Sequence, residues 1–212
     1  ATLQASPGGL GLFLLCDPTN SPPVFSEVQS EQDLAPGITA AVDLHCPDST
    51  PLAVASSWST SLGNSRLVTH APVDVDRLSQ GMGMGWRFGF DNTQSAMDHA
   101  SITLHCRALR AEESVSEVVA VHEAQPIHSG ETNTFGVRCP TTHPILLAGG
   151  GERVDGSLAL SGSFPIRADH SAWTTTLPLT ASWYVTYHAE SEGGFDTKLI
   201  CRAAAPGEAT SP

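Results

Sequence analysis

The chain has few charged residues and almost no lysine. Charged residues make up 15% of its 212 residues, and Lys198 is its single lysine. Long solvated helices are rich in lysine and glutamate, so this composition disfavours an α-helical protein. Gly and Pro are frequent instead, with 19 and 15 residues, and both favour turns between short strands.

Positive charge and long apolar runs are also scarce. Ten Lys and Arg residues against 22 Asp and Glu residues give a net charge of -12. A chain this acidic repels phosphate backbones, so no nucleic-acid partner is expected. The longest apolar run, residues 10–16, is far shorter than the ~20 residues that cross a bilayer. We therefore expect no membrane insertion.

The five cysteines show no metal-binding pattern. No CxxC pair occurs, and no two histidines stand at ligand spacing, which favours disulfides over zinc, haem or iron-sulfur ligation. No metal or other cofactor is expected. Disulfides require an oxidising compartment, so the predicted location is extracellular or at the cell surface. The first residue is Ala1 and no signal-type segment is present, which predicts a chain that has already been processed.

An internal repeat is the strongest signal in the sequence. Residues 32–73 align with residues 125–166 at a constant offset of 93 without a gap, and ten of the 42 positions are identical. A further match pairs residues 86–90 with 183–187, and each copy closes on a cysteine. The repeat predicts module 1 at residues 25–112 and module 2 at residues 113–212, after an N-terminal extension at residues 1–24. The identical pairs are Gln32/Gln125, Gly37/Gly130, Thr39/Thr132, Cys46/Cys139, Pro47/Pro140, Pro51/Pro144, Ala55/Ala148, Gly63/Gly156, Leu67/Leu160 and Pro72/Pro165.

Apolar residues alternate with polar ones inside each copy. Trp86, Phe88 and Phe90 share one face of a strand, as do Trp183 and Val185 at the matching place in module 2. A period of two is typical of half-buried strands, and turn residues separate the segments. The predicted fold is all-β: two tandem disulfide-containing β-sandwiches, Ig-like or small barrels, preceded by an extra strand.

The alternation also places one pair of cysteines inside each module. It predicts the bonds Cys46–Cys106 and Cys139–Cys201, each closing a loop of about 60 residues. The chain-entropy model gives such a loop roughly 4 kcal/mol, which is much of the stability of a small module.

The fifth cysteine ends an apolar segment at residues 10–16. The segment has the layout of the strands that close both modules, but it is apolar on both faces, which requires burial on both sides. One interpretation places it in its own chain, as an edge strand or in the cleft between modules, with a buried thiol. The other inserts it into a second subunit and predicts a homo-oligomer or polymer. The residues of this predicted assembly strand are Leu10, Leu12, Phe13, Leu14, Leu15 and Cys16.

The repeated pattern resembles a known kind of exported protein. Each module has a Cys-Pro pair, an apolar strand, a run of small residues (148–151 in module 2), a tryptophan and a closing cysteine. This order resembles the cysteine-bracketed secreted β-repeat modules of hypothetical exported proteins from high-GC bacteria. The resemblance covers about 170 residues and implies an extracellular location without a known activity.

Several histidines and aspartates are candidates for catalysis or metal binding. His45 and His105 each precede a module 1 cysteine, but module 2 lacks both, so solvated strand histidines are the simpler prediction. Asp74 and Asp76 are a candidate calcium pair. His70 and Asp74 are the candidates for a hydrolase triad with a nearby serine, but no nucleophile-elbow motif accompanies them. The glycines at 149–151 predict a bulge or a close backbone approach.

A glycan-binding surface is the remaining candidate. Trp58, Arg87 and Tyr184 would form it if their side chains faced outward together. Every repeated residue is of a structural kind, and no catalytic constellation is repeated. The predicted function is therefore a non-enzymatic subunit of an extracellular filament, surface layer or coat. The alternative is a monomeric secreted adhesin or carbohydrate-binding protein.

Overall fold

A computed structural model describes residues 24–62, 65–109, 118–166 and 182–204. These ranges contain twelve strands and one four-residue helix, which confirms the predicted all-β fold. The predicted assembly strand, residues 10–16, lies outside the described residues. The elements are β1 (Phe25–Leu34), β2 (Thr39–His45), β3 (Leu52–Thr60), β4 (Arg66–Val73), α1 (Asp76–Ser79), β5 (Gly85–Asp91), β6 (Asp98–Arg107), β7 (Val118–Ile127), β8 (Thr132–Arg138), β9 (Ile145–Asp155), β10 (Leu158–Ile166), β11 (Ser182–Ala189) and β12 (Gly193–Arg202).

The sequence repeat is also a repeat of strands. β7 and β8 occupy the positions of β1 and β2 shifted by 93 residues, with identical lengths. The remaining strands follow in the same order, so β3 corresponds to β9 and β4 to β10. The turns before β2 and β8 use the shared glycines Gly37 and Gly130, with φ of 70° and 81°. A side chain other than glycine is strained at such angles.

The twelve strands form three antiparallel sheets. Sheet I has the order β1-β6-β3, and sheet III has the order β10-β11-β8. Sheet II has six strands in the order β2-β5-β4-β9-β12-β7. Module 1 is therefore sheet I packed on one half of sheet II, and module 2 is sheet III packed on the other half.

The inward faces of the strands form the cores. In module 1, Phe88 and Phe90 of sheet II and Ile102 and Leu104 of sheet I are at most 1% exposed. In module 2, Tyr187 stacks on Phe195 with ring centroids 4.7 Å apart. Each fully buried side chain of this size contributes on the order of 2 kcal/mol.

One disulfide bridges the two sheets of each sandwich. Cys46 is bonded to Cys106 and Cys139 to Cys201, with Cα–Cα distances of 5.7 and 5.8 Å. This is the pairing that the sequence predicts. In module 1 the bond joins the end of β2 to β6, so it fastens sheet II to sheet I. Both bonds indicate an oxidising environment.

Candidate assembly site at the module junction

The two modules are joined by strand pairing between β4 and β9. Thr69 lies opposite Glu152 and His70 opposite Gly151, which makes sheet II continuous. The next residue of β9, Gly150, lies so close to β4 that a Cβ there would stand 1.9 Å from the carbonyl oxygen of His70. Only glycine fits this contact. The close backbone approach predicted for the glycine run is therefore present, and its position is the junction.

Ion pairs on the outer face of sheet II hold the junction. The Arg87 guanidinium donates to both Asp43 carboxylate oxygens, at 2.8 and 2.7 Å, and to Glu152 of module 2 at 3.3 Å. Hydrogen bonding to Arg87 lowers the pKa of Asp43. Arg153 of module 2 donates to Asp91 of module 1, whose side chain is 10% exposed. Pairs with this little exposure are less screened than ordinary surface pairs.

Further hydrogen bonds connect the modules. Arg66 of module 1 donates to Glu190 of module 2, and this hydrogen bond lowers the pKa of the Glu190 carboxyl. The Tyr187 hydroxyl donates to the Val68 carbonyl oxygen at 2.9 Å. Val68 is the extra residue of a bulge in β4, so its backbone is out of the regular ladder. The junction therefore combines strand pairing, ion pairs and buried contacts.

Sheets I and III lie over the same face of sheet II. His70 and Gly151 are paired, and paired residues in a sheet point to the same side. His70 points to Ser56 of sheet I, with 2.5 Å between Nε2 and Oγ. A Cβ on Gly151 would point to Tyr187 of sheet III. The two outer sheets are therefore neighbours in one layer above the junction.

The facing edges of that layer are β3 and β10. β3 approaches β9 of the other module, and β10 approaches β4. In the described ranges, β3 pairs with β6 alone and β10 with β11 alone. We call the region of that layer bordered by these two strand edges the junction slot.

Both strands that border the junction slot lack charge. β3 (Leu52–Thr60) contains no charged residue and no proline, and β10 (Leu158–Ile166) contains no charged residue. The other edge strands carry residues that discourage strand addition: Glu27 in β1, Asp43 in β2, Pro126 in β7 and Arg138 in β8. Charge and proline are the usual protection of sheet edges. Among the described edge strands, β3 alone has neither a charged residue nor a proline, while β10 has no charge but contains Pro165.

The inner face of β3 is incompletely covered. The Trp58 ring meets Phe90 edge-on, with centroids 5.9 Å apart, yet the residue is 42% exposed. Gly151 is the module 2 counterpart of Trp58, and it is buried beside β4. The aromatic surface of Trp58 is therefore open to an added chain.

His70 lies beneath β3, among aromatic rings. Its ring centroid is 5.0 Å from that of Trp86 and 5.4 Å from that of Phe88. Desolvation lowers the pKa of His70 to about 4, although the residue keeps some accessible surface. Asp74 bonds instead to His45, with Nε2 and Oδ2 2.7 Å apart. The structure thus forms a Ser56–His70 pair, but the candidate triad with Asp74 is not assembled.

The other predicted site residues are dispersed. The Nδ1 atom of His105 lies 3.3 Å from Oε1 of Glu27, Asp76 is the first residue of α1, and Asp74 bonds to His45. Within the described ranges, no cluster of three His, Cys, Asp or Glu side chains is placed to hold a metal ion. Trp58, Arg87 and Tyr184 lie on three different sheets, so the structure does not bring the candidate glycan surface together. Cys16 and the rest of the assembly strand lie outside the described residues.

Sequence reasoning missed the pairing of β4 with β9. A signal was present at the aligned positions, where module 1 has Ser56, Ser57 and Trp58 and module 2 has three glycines. Three consecutive glycines in only one copy indicate a close neighbour at that copy alone. The identity of the neighbour was not available from the pattern.

Comparisons with protein-family models, curated proteins and solved structures gave no match. Among the described residues, no helix has the length and apolar character needed to span a membrane. The site itself therefore carries the functional argument.

Proposed function

We propose that the protein is a structural subunit of an extracellular assembly, such as a filament, surface layer or coat, built by strand-mediated self-association. The observation that carries the proposal is the contrast between two equivalent strands. The edge of β9 is paired with β4, whereas the edge of its counterpart β3 is uncharged and has no second partner among the described strands. The chain already joins its modules through strand edges, and within the described residues the β3 edge has no second partner.

The arrangement of the site favours a building block over an enzyme. The Ser56–His70 pair is desolvated, and the nearest predicted acid, Asp74, is held by His45. A histidine whose pKa is lowered to about 4 is a weak base, and within the described residues no carboxylate is bonded to its ring. The junction contacts instead hold two modules at a fixed spacing, which suits a repeating subunit.

The proposal is tested on the full chain by light scattering over a range of concentrations and by negative-stain electron microscopy. We expect multimers or fibres that grow with concentration. Leu12→Asp/Leu14→Asp should reduce them, because charge on the apolar strand opposes its burial. The control is Ile38→Asp/Val154→Asp, which makes the same charge change at residues that are 52% and 63% exposed. A chain that stays monomeric at every concentration contradicts the proposal.

A secreted adhesin or carbohydrate-binding protein is the second candidate. The exposed ring of Trp58 favours it, since aromatic faces stack on sugars. Binding on a glycan array that is retained by Leu12→Asp/Leu14→Asp and lost in Trp58→Ala would support it over the assembly role.

A further inference from the structure

The junction slot has the features of an acceptor for one extended strand. Its two borders are uncharged edges in one layer, and the floor is the β4–β9 pairing. The exposed Trp58 ring belongs to one border. Leu160, on the other border, is partly buried and packs against the cores of both modules. An apolar strand seated here would find hydrogen-bonding edges and apolar surface together.

A complete second module is a poor occupant of the slot. The β4–β9 crossing depends on Gly150, which has no side chain. The corresponding residue of β3 is Ser57, which is exposed and has a Cβ. A crossing as close as that of β4 on β9 would meet this Cβ. Ordinary edge pairing by a single strand requires no glycine.

The segment at residues 10–16 has the matching character. It resembles the closing strands β6 and β12, and both of these lie between two neighbours in their sheets. Leu10, Leu12, Leu14 and Cys16 share one face and would lie on the floor of the slot, whereas the other apolar face, with Phe13 and Leu15, would need a further copy to cover it. Its seven residues fit beside the nine of β3.

The sequence before β1 favours a donor from another copy. β1 is the far strand of sheet I, so the chain's own segment would have to pass two strands to reach β3. The pairing of β1 with β6 extends to Val24, one residue before β1, because the Ala108 amide donates to the Val24 carbonyl oxygen. Pro22 and Pro23 come immediately before, and paired prolines favour an extended spacer over a reversal.

We propose that the junction slot between β3 and β10 accepts residues 10–16 of a second copy of this chain. This inference rests on the proposed assembly function and names its acceptor site. Each copy then has one donor segment and one acceptor slot at different places. Such a contact is head-to-tail and propagates into a fibre when its rotation does not close.

The first test places positive charge on the acceptor edge. Ser57→Lys/Ser59→Lys changes two exposed hydroxyl residues of β3, and lysine on an edge opposes strand addition. We expect the concentration for half-assembly to rise about tenfold or more, the equivalent of 1.4 kcal/mol. The control, Thr132→Lys/Thr134→Lys, makes the same change at exposed residues of the edge strand β8 and should leave assembly unchanged.

The second test identifies the donor. Copies with Cys16→Ser/Ser57→Cys are mixed with the unchanged chain under mild oxidation, so Cys16 can reach the new thiol only from another copy. We expect a dimer-sized product in which mass spectrometry links position 16 to position 57. Cys16→Ser/Thr134→Cys is the matched control and should give no such product.

The outcomes separate the two proposals. If the chain assembles but the β3 lysines have no effect and no disulfide forms between positions 16 and 57, the proposed acceptor site is wrong and the assembly function stands. If the variant Ser57→Cys alone links positions 16 and 57 within one chain, the donor is the chain's own segment and this inference is overturned. If the unchanged chain never assembles, the proposed function itself fails.

Discussion

The two modules have the same strands and the same disulfide, but they differ in what lies beside β3 and β9. In module 2, Gly150 lets β4 lie close to β9, and ion pairs hold the two modules together. In module 1, Ser57 and Trp58 occupy the matching positions, and the edge has no second partner in the described ranges. The same strand of a duplicated module thus forms half of the junction in module 2 and, within the described residues, an edge without a second partner in module 1.

The largest expected effect tests whether the modules are equal in stability. Cys46→Ala/Cys106→Ala and Cys139→Ala/Cys201→Ala each open a loop, with bonded residues 60 and 62 positions apart. Each double variant should lose about 4 kcal/mol of unfolding free energy, measured by denaturant titration. Because the junction couples the modules, each double variant should still unfold in a single transition. Two separate transitions, with one module unaffected, would contradict the coupling.

A pH titration distinguishes module 1 from module 2, because His70 has Ser163 as its counterpart. The folded pKa of about 4 lies below the unfolded value of about 6.5. Below pH 6.5 the unfolded chain therefore binds a proton that the folded chain does not. Stability should fall by about 1.4 kcal/mol per pH unit until about pH 4, roughly 3 kcal/mol in all.

His70→Gln is the control for this titration, since it keeps an amide near Ser56 but does not titrate. Subtracting its stability curve from that of the unchanged chain removes the contributions of the other histidines to the pH dependence. One of these is His99, whose pKa is raised by its hydrogen bond to Asp33. Parallel curves between pH 4 and 6.5 would show that His70 is not held in a desolvated site.

The smallest of these effects weakens the junction itself. Gly150→Ala places a Cβ against the His70 carbonyl, so β4 and β9 must separate at a cost of about 2 kcal/mol. Calorimetry should then show separate unfolding of the two modules. Gly194→Ala is the control, because the nearest atom to its Cβ is 3.4 Å away. Equal behaviour of the two variants would mean that the close crossing does not couple the modules.

Much of the fold was predictable because its signals are local or repeated. The alternation around Phe88 and Phe90 fixed which residues face the core. Two cysteines at equivalent inward positions left one simple pairing in each module. The junction was not predictable, since it depends on where one strand edge meets another after both sandwiches have formed.

The candidate site shows the same division. Trp58, Arg87 and Tyr184 have suitable chemistry for a glycan surface, yet strand order places them on three sheets. His70 and Asp74 are close in the chain, but the partners of these residues are Ser56 and His45. Sequence spacing does not determine such contacts, because the facing strand supplies the partner.

The sequence by itself determined the two modules, their strands and their disulfides, because periodicity and repetition are properties of the chain. Only the tertiary structure decided that the modules share sheet II, that β9 is covered, and that β3 and β10 border the same slot. The physical reason is that a strand edge is satisfied by backbone groups of any sequence. Which edges meet is therefore set by packing and close approach, here by Gly150 against β4.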